Sequence, residues 1–197
     1  MKPAVIAAVV GGMCLSSSIG AALMMGGGEE DDGAGAGAGG ANNQDEDDIV
    51  LPQARYVRVE RPSANYPAHI INLGELEVFD TAGTNIALNA TVTGGPGGAH
   101  SAGPFERLTD GNFGNFAHTT GNGVSFLEVD LGAVKEIAKV VITNRPDCCQ
   151  GRLGEAKLTL LDGSRAAVKT TAAIVSDKMK LTYDFNVTTP AWEYTDA

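Results

Sequence analysis

The sequence predicts an all-β protein, a β-sandwich or jelly roll of about eight short strands, and three observations carry that prediction. After residue 50 helix formers are sparse, while Val, Ile, Thr and Gly recur. Short alternating or apolar runs are separated at regular intervals by turn residues such as Asp80-Thr81-Ala82-Gly83 and Asp162-Gly163. No helix of useful length can be drawn in that region.

The strands follow in order. Ala54–Glu60 alternates, with Tyr56 out of phase with Val57 and Val59. Glu75–Phe79 runs into the Asp80–Gly83 turn. Asn85–Val92 is the next expected strand, followed by a Gly-rich loop over Gly94–Gly103. Ser125–Leu131 sets Phe126, Glu128 and Asp130 against Leu127, Val129 and Leu131, the period-two pattern of a half-buried strand. Ile137–Thr143 holds Val140-Val141-Ile142, an apolar run suited to burial on both faces. Lys157–Leu161, Ala166–Thr170 and Lys180–Phe185 complete the set, with Asp162-Gly163 marking a hairpin turn.

The chain divides into four parts. Residues 1–28 hold an uncharged stretch, Pro3 to Gly28, behind Lys2; it is long enough for a membrane span of about 20 residues. The expectation is an N-terminal transmembrane signal anchor with the carboxyl terminus outside, and the alternative is a cleaved signal peptide and a secreted protein. Residues 29–49 form an acidic linker of Gly-Ala repeats, too polar to bury a core and therefore expected to be disordered. Residues 50–187 form the β domain, and 188–197 a tail containing Trp192 and Tyr194. The formal charge of −10 belongs mostly to the linker: eight of the 24 acidic residues lie in Glu29–Asp32 and Asp45–Asp48. Beyond them 16 acidic residues face 13 basic ones, so the domain is nearly balanced and offers no basic surface for nucleic acid. Asn89-Ala90-Thr91 and Asn186-Val187-Thr188 are glycosylation sequons, usable if the domain lies outside.

The chemistry concentrates in Asn144-Arg145-Pro146-Asp147-Cys148-Cys149-Gln150-Gly151-Arg152-Leu153, which closes the buried Ile137–Thr143 run. Two arginines supply fixed donor forks that stay charged. Within the domain Cys148 and Cys149 have only each other as partners, and an oxidising compartment favours a bridge; Cys14 lies in the apolar segment. A surface of this kind suits a small polar ligand. The plain alternative is a surface salt-bridge cluster at a strand end. A redox or metal role for the cysteines has no C-x-x-C spacing or clustered His behind it. No nucleophile elbow is present and two arginines beside an imidazole leave no obvious base, so the chain is expected not to be an enzyme. His69 and His100 are read as structural, with His100 a secondary candidate because of its place in the Gly-rich loop.

At this point the sequence resembles the F-type lectins, within the discoidin or galactose-binding-like jelly rolls. Their signature is His, 26 residues, Arg-x-Asp, four residues, then Arg or Lys. His118, Arg145, Asp147 and Arg152 stand at those positions, with the adjacent cysteines and Leu153 also in place. Leu108-Thr109-Asp110-Gly111-Asn112 resembles the family's calcium loop, and Phe126–Leu131 its following strand; the likeness spans about residues 54 to 186. The resemblance implies that His118, Arg145 and Arg152 act as three converging donors that grip the hydroxyls of L-fucose. Asp147 would orient an arginine or a backbone amide. A Cys148–Cys149 bridge would pack against the sugar ring, and Phe113 or Phe116 would wall the pocket for the methyl group.

The same resemblance implies a structural calcium ion beneath the site. Its ligands would be the side chains of Asp110 and Glu75 and the carbonyls of Arg107, Asn112, Asn115 and Gly74. Hard oxygen ligands of mixed charge suit that cation. One departure stands out: Arg55–Val59 and Glu75–Phe79 match strands that close the family's chain, yet here they come first. The chain therefore looks circularly permuted, which is feasible where termini lie close together. The expected function is calcium-supported binding of fucose or fucosylated glycans at a cell or virion surface, with homo-oligomers adding avidity to a weak single site. The alternative is a discoidin-like adhesion or structural module that recognises protein, lipid or another glycan.

Overall fold

The computed structural model of the protein describes residues 49–62, 70–120, 123–175 and 178–187, and the backbone of 195–196. The expected anchor and linker, and His69, Trp192 and Tyr194, lie outside these residues. Among the described residues no helix is long and apolar enough to cross a membrane.

Ten strands are assigned among the described residues: β1 (Gln53–Glu60), β2 (Asn72–Phe79), β3 (Thr91–Gly95), β4 (Ala117–His118), β5 (Phe126–Glu136), β6 (Lys139–Asn144), β7 (Lys157–Leu161), β8 (Ala167–Thr170), β9 (Lys180–Asp184) and β10 (Thr195–Asp196). Short 3₁₀ turns cover Phe105–Leu108 and Gln150–Leu153. The strands form two antiparallel sheets, β3-β5-β1-β7-β8 and β10-β9-β6-β2-β4. The all-β sandwich is therefore as the composition predicts. The first two strands take interior positions, one in each sheet, instead of edges.

The core explains the strand patterns. On the first sheet Val57 and Val59 register with Val129 and Leu127 of β5 and with Leu160 and Leu158 of β7, and all six are buried. Tyr56 lies out of phase with Val57 and Val59 by ordinary strand alternation, and a bulge at the β1–β5 register shift between Ala54 and Tyr56 lets Ala54 also face the core. The Tyr56 ring lies between the guanidinium groups of Arg55 and Arg165, at 5.0 and 4.2 Å. Glu128, paired in register with Arg58, is 2% exposed and accepts hydrogen bonds from Arg58 (2.7 Å) and Arg165 (3.1 Å). Val140, Val141 and Ile142 are all buried between β2 and β9, as their unbroken apolar run predicts.

Two expectations need correction. Asn85–Val92 is not a strand: the Asn85 side-chain carbonyl accepts from Val78 N (3.2 Å) and Ala87 N (3.1 Å), which turns the chain back on itself. The Ala90 N–H then bonds the Ala87 carbonyl and Asn89 sits at φ 59°, so extended pairing starts only at Thr91. The expected Gly94–Gly103 loop correspondingly loses its first two residues to β3. The C-terminal tail also adds a strand, since Thr195 and Asp196 pair with Thr182 and Leu181 of β9. The hairpin after β7 holds as expected: the Asp162 carboxylate accepts from Ser164 N (2.8 Å) and Ala166 N (2.9 Å).

Candidate functional site

The end of β6 fixes the loop that carries the arginines. Asn144 is buried; its Nδ2 donates to the carbonyls of Gln150 (3.2 Å) and Lys178 (3.0 Å), and its Oδ1 accepts from Arg145 N (2.8 Å). Gln150 Nε2 donates to the Arg145 carbonyl at 3.0 Å, closing the loop on itself. Cys149 takes a left-handed conformation at φ 68°, and Cys148 and Cys149 are joined by a disulfide.

Within this loop Arg145 and Asp147 form a two-pronged pair, Nε to Oδ1 and Nη2 to Oδ2, the second at 2.9 Å. That pairing holds the Asp147 carboxyl down at about 2. Asp147 also accepts from Cys148 N at 2.9 Å, so it orients both an arginine and a backbone amide. The Arg145 guanidinium lies flat over Phe116, 3.6 Å from the ring centroid.

His118 comes to the same place from β4, the edge strand of the second sheet, two strands over from β6. On β4 it registers with Asn72 of β2, and it is 6% exposed. Its Nδ1 lies 2.6 Å from the Thr119 carbonyl, which can only accept, so Nδ1 carries the proton. Nε2 is then a lone-pair acceptor, and Arg152 Nη1 donates to it at 3.3 Å. Burial, and then the neighbouring His100 and the charges of Arg152 and Arg145, push its pKa below the usual value against the Thr119 hydrogen bond, which raises it. This corrects the expectation of three donors: the site offers two guanidinium donors and one imidazole acceptor.

Arg152 is also held by Asn72, whose Oδ1 accepts from Nη1 at 3.3 Å. Sequence reasoning missed Asn72, because nothing in its spacing ties it to a residue 80 positions on; the strand pairing with His118 does. Both partners of Nη1 are neutral, and among the described residues the ion pairs do not include Arg152. His100 stands closer to the site than a structural histidine would, its ring centroid 4.7 Å from that of His118. Of the two aromatic candidates, Phe116 joins the cluster, 6.2 Å from His118, whereas Phe113 is 47% exposed.

The proposed cation ligands gather one step away, around the Asp110–Asn115 loop. Asp110 Oδ1 accepts from Asn112 N (2.8 Å) and Oδ2 from Asn115 Nδ2 (2.7 Å). Glu75, fully buried on β2, reaches this loop through Oε1, which accepts from Gly111 N at 3.0 Å. Its Oε2 is buried without a hydrogen-bond partner, and so is Asn115 Oδ1. Burial, with Asp110 and Glu77 adding to it against the Gly111 hydrogen bond, pushes the Glu75 carboxyl up to about 7. Two orphaned buried oxygens beside an aspartate are what an oxygen-ligated cation would satisfy. Gly74 fits at the β2 bulge because any Cβ there would stand 2.8 Å from the Asn144 carbonyl. Asn112 O accepts from Asn115 N at 3.3 Å, and the Arg107 side chain turns away to the Ala102 carbonyl at 2.9 Å. Among the described residues no group of three or more His, Cys, Asp or Glu side chains gathers as a metal site; the set here has two carboxylates and is otherwise neutral oxygen.

Residues 107–193, less than half of the chain, match the F5/8 type C family model described as a NedA-like, galactose-binding domain. The match takes in the Asp110 loop, β4 with His118, and the whole Asn144–Leu153 loop, and leaves β1, β2 and β3 outside. No curated protein and no solved structure matches the chain. A galactose-binding-like domain of this kind suggests carbohydrate binding.

Proposed function

We propose that the protein is a lectin of the jelly-roll type, with its N-terminal strands permuted, and that it binds L-fucose or fucosylated glycans at the His118–Arg145–Arg152 cluster. The observation that carries this reading is the convergence of His118 on β4 with both arginines of the loop after β6: Arg152 lies 3.3 Å from His118 Nε2, and Arg145 stacks on Phe116, whose ring is 6.2 Å from that of His118. L-Fucose is 6-deoxy-L-galactose, so an axial hydroxyl between an acceptor and two donors is a feature that a galactose-like ligand shares. Arg145, stiffened by Asp147 and Phe116, donates with little entropy to lose; Arg152 donates from beside the imidazole; His118 Nε2, which accepts from Arg152 in the free site, would accept a ligand hydroxyl in its place. The disulfide and Phe116 offer apolar surface to the C–H face of the sugar.

Asp110, Glu75 and Asn115, with the carbonyls of Gly74, Arg107 and Asn112, would hold calcium. The ion would neutralise the buried carboxylate and fix the loop that leads through Phe116 into β4. These residues make a binding module, not a catalyst, and a single shallow site binds on the order of micromolar or weaker. Clustering by oligomers, or by an anchor in residues 1–28 at a membrane surface, would raise the avidity.

A glycan array with titration calorimetry tests this. Fucosylated hits that fall at least about tenfold on Arg145→Ala and on chelation support it. A folded protein with no sugar hits refutes it and favours an adhesion scaffold that recognises protein or lipid.

A further inference from the structure

The loop between β3 and the first 3₁₀ turn runs along β4 as an improvised edge strand. His100 N donates to the His118 carbonyl (2.8 Å), His118 N to the Gly103 carbonyl (2.9 Å), and Thr120 N to the Gly98 carbonyl (3.2 Å). Ala99 and Thr119 form a bridge in the same antiparallel sense. The approach is as close as backbone permits at Gly103, where a Cβ would lie 2.6 Å from His118 Cβ. This pairing sets the two imidazoles 4.7 Å apart, His118 buried and His100 exposed.

The hydrogen bonds fix opposite tautomers. His100 Nδ1 accepts from Ala102 N at 3.1 Å, so its proton resides on Nε2. His118 has the reverse arrangement, with Nδ1–H spent on Thr119 and Nε2 left to accept. We propose that His100 and His118 form a tautomer-matched pair within one site, His100 donating to the ligand and His118 Nε2 accepting from it in place of Arg152, so that ligand is held while both rings are neutral and released in mild acid. The proposal rests on the carbohydrate reading above and adds a ligand-facing residue and a regulation to it.

The surroundings leave an added proton uncompensated. Arg152 faces His118 from the second 3₁₀ turn, Arg145 from the end of β6, and Arg107 supports the His100 loop from the first 3₁₀ turn through Ala102. Among the described residues, the carboxylate paired with these guanidinium groups is Asp147, already committed to Arg145. A proton on His118 Nε2 would turn an acceptor toward Arg152 into a second donor. On His100 it would place a positive charge beside the other ring and the guanidinium groups.

The test is calorimetry of the full chain with methyl α-L-fucoside between pH 7.5 and 5.5, for wild type and His100→Gln. Glutamine keeps an N–H donor and does not titrate. The wild-type dissociation constant is expected to rise about tenfold across this range, and that of the variant, weaker than wild type at pH 7.5, to rise by about threefold or less between the same two pH values. Binding that is flat with pH, or an identical acid loss in the variant, overturns the pair alone; no binding at pH 7.5 removes the carbohydrate reading and this proposal with it. Long-range ¹H–¹⁵N spectra of the ligand-free chain give a second readout: Nε2–H on His100 and Nδ1–H on His118 are expected, and the opposite tautomer on either ring overturns it.

Discussion

Glu75→Gln isolates the cost of the buried carboxylate and tests the calcium reading through it. The folded protein binds the Glu75 proton more tightly than the unfolded chain, because the carboxyl moves from 4.5 to about 7. Its contribution to stability is therefore fully present below pH 4.5 and is lost as pH rises through about 7. A displacement of that size corresponds to a ceiling of about 3 kcal/mol at pH 8, and solvent reaching the loop at Gly111 brings the expected value to about 1–3 kcal/mol. Glutamine keeps the acceptor for Gly111 N and carries no charge. In chelator the variant should match wild type at pH 4.5 and exceed it by about 1–3 kcal/mol at pH 8, measured by urea unfolding. Calcium should reverse the order at pH 8: at a hundredfold excess over its dissociation constant it adds about 2.7 kcal/mol to wild type and far less to the variant. Superimposable curves at both pH values in chelator would refute the buried-carboxylate account. An equal calcium response in the two proteins would refute Glu75 as a ligand.

Two further outcomes follow from the packing. Glu128→Ala leaves Arg58 and Arg165 without the carboxylate that both use, and should cost about 2–4 kcal/mol by urea unfolding; a loss under about 0.5 kcal/mol would mean that the outer-face network contributes nothing. Gly103→Ala forces a methyl carbon to within 2.6 Å of His118 Cβ and 3.0 Å of its amide, a backbone shift costing about 1–3 kcal/mol, and should weaken sugar binding; unchanged binding would show that the loop does not position His118.

Glu75 shows how far sequence resemblance reaches: the fold brings it to the Asp110 loop through Gly111, although Glu75 and Gly111 lie 36 residues apart in the chain. The alternation of Tyr56 against Val57 and Val59 is that of a strand, and the bulge between Ala54 and Tyr56 left no mark in it. Asn85–Val92 misled because its alternation is that of a strand, while one side-chain carbonyl on Asn85 captured two backbone amides and bent it into turns. Local side-chain to backbone bonds of this kind leave no periodic trace in a sequence.

The sequence by itself determined the all-β class, from its β-branched runs and regular turns, and its resemblance to a lectin signature singled out His118, Arg145, Asp147 and Arg152 as the polar residues of the candidate site. Tertiary structure decided what those residues are chemically. His118 became an acceptor because a neighbouring carbonyl took its Nδ1 hydrogen bond, strand register set Asn72 beside it, and the close packing of Gly103 on β4 brings the His100 ring to 4.7 Å. The division has a physical cause: chain spacing fixes which side chains reach a strand end, whereas tautomer, charge state and partner depend on groups that only folding brings within hydrogen-bond distance.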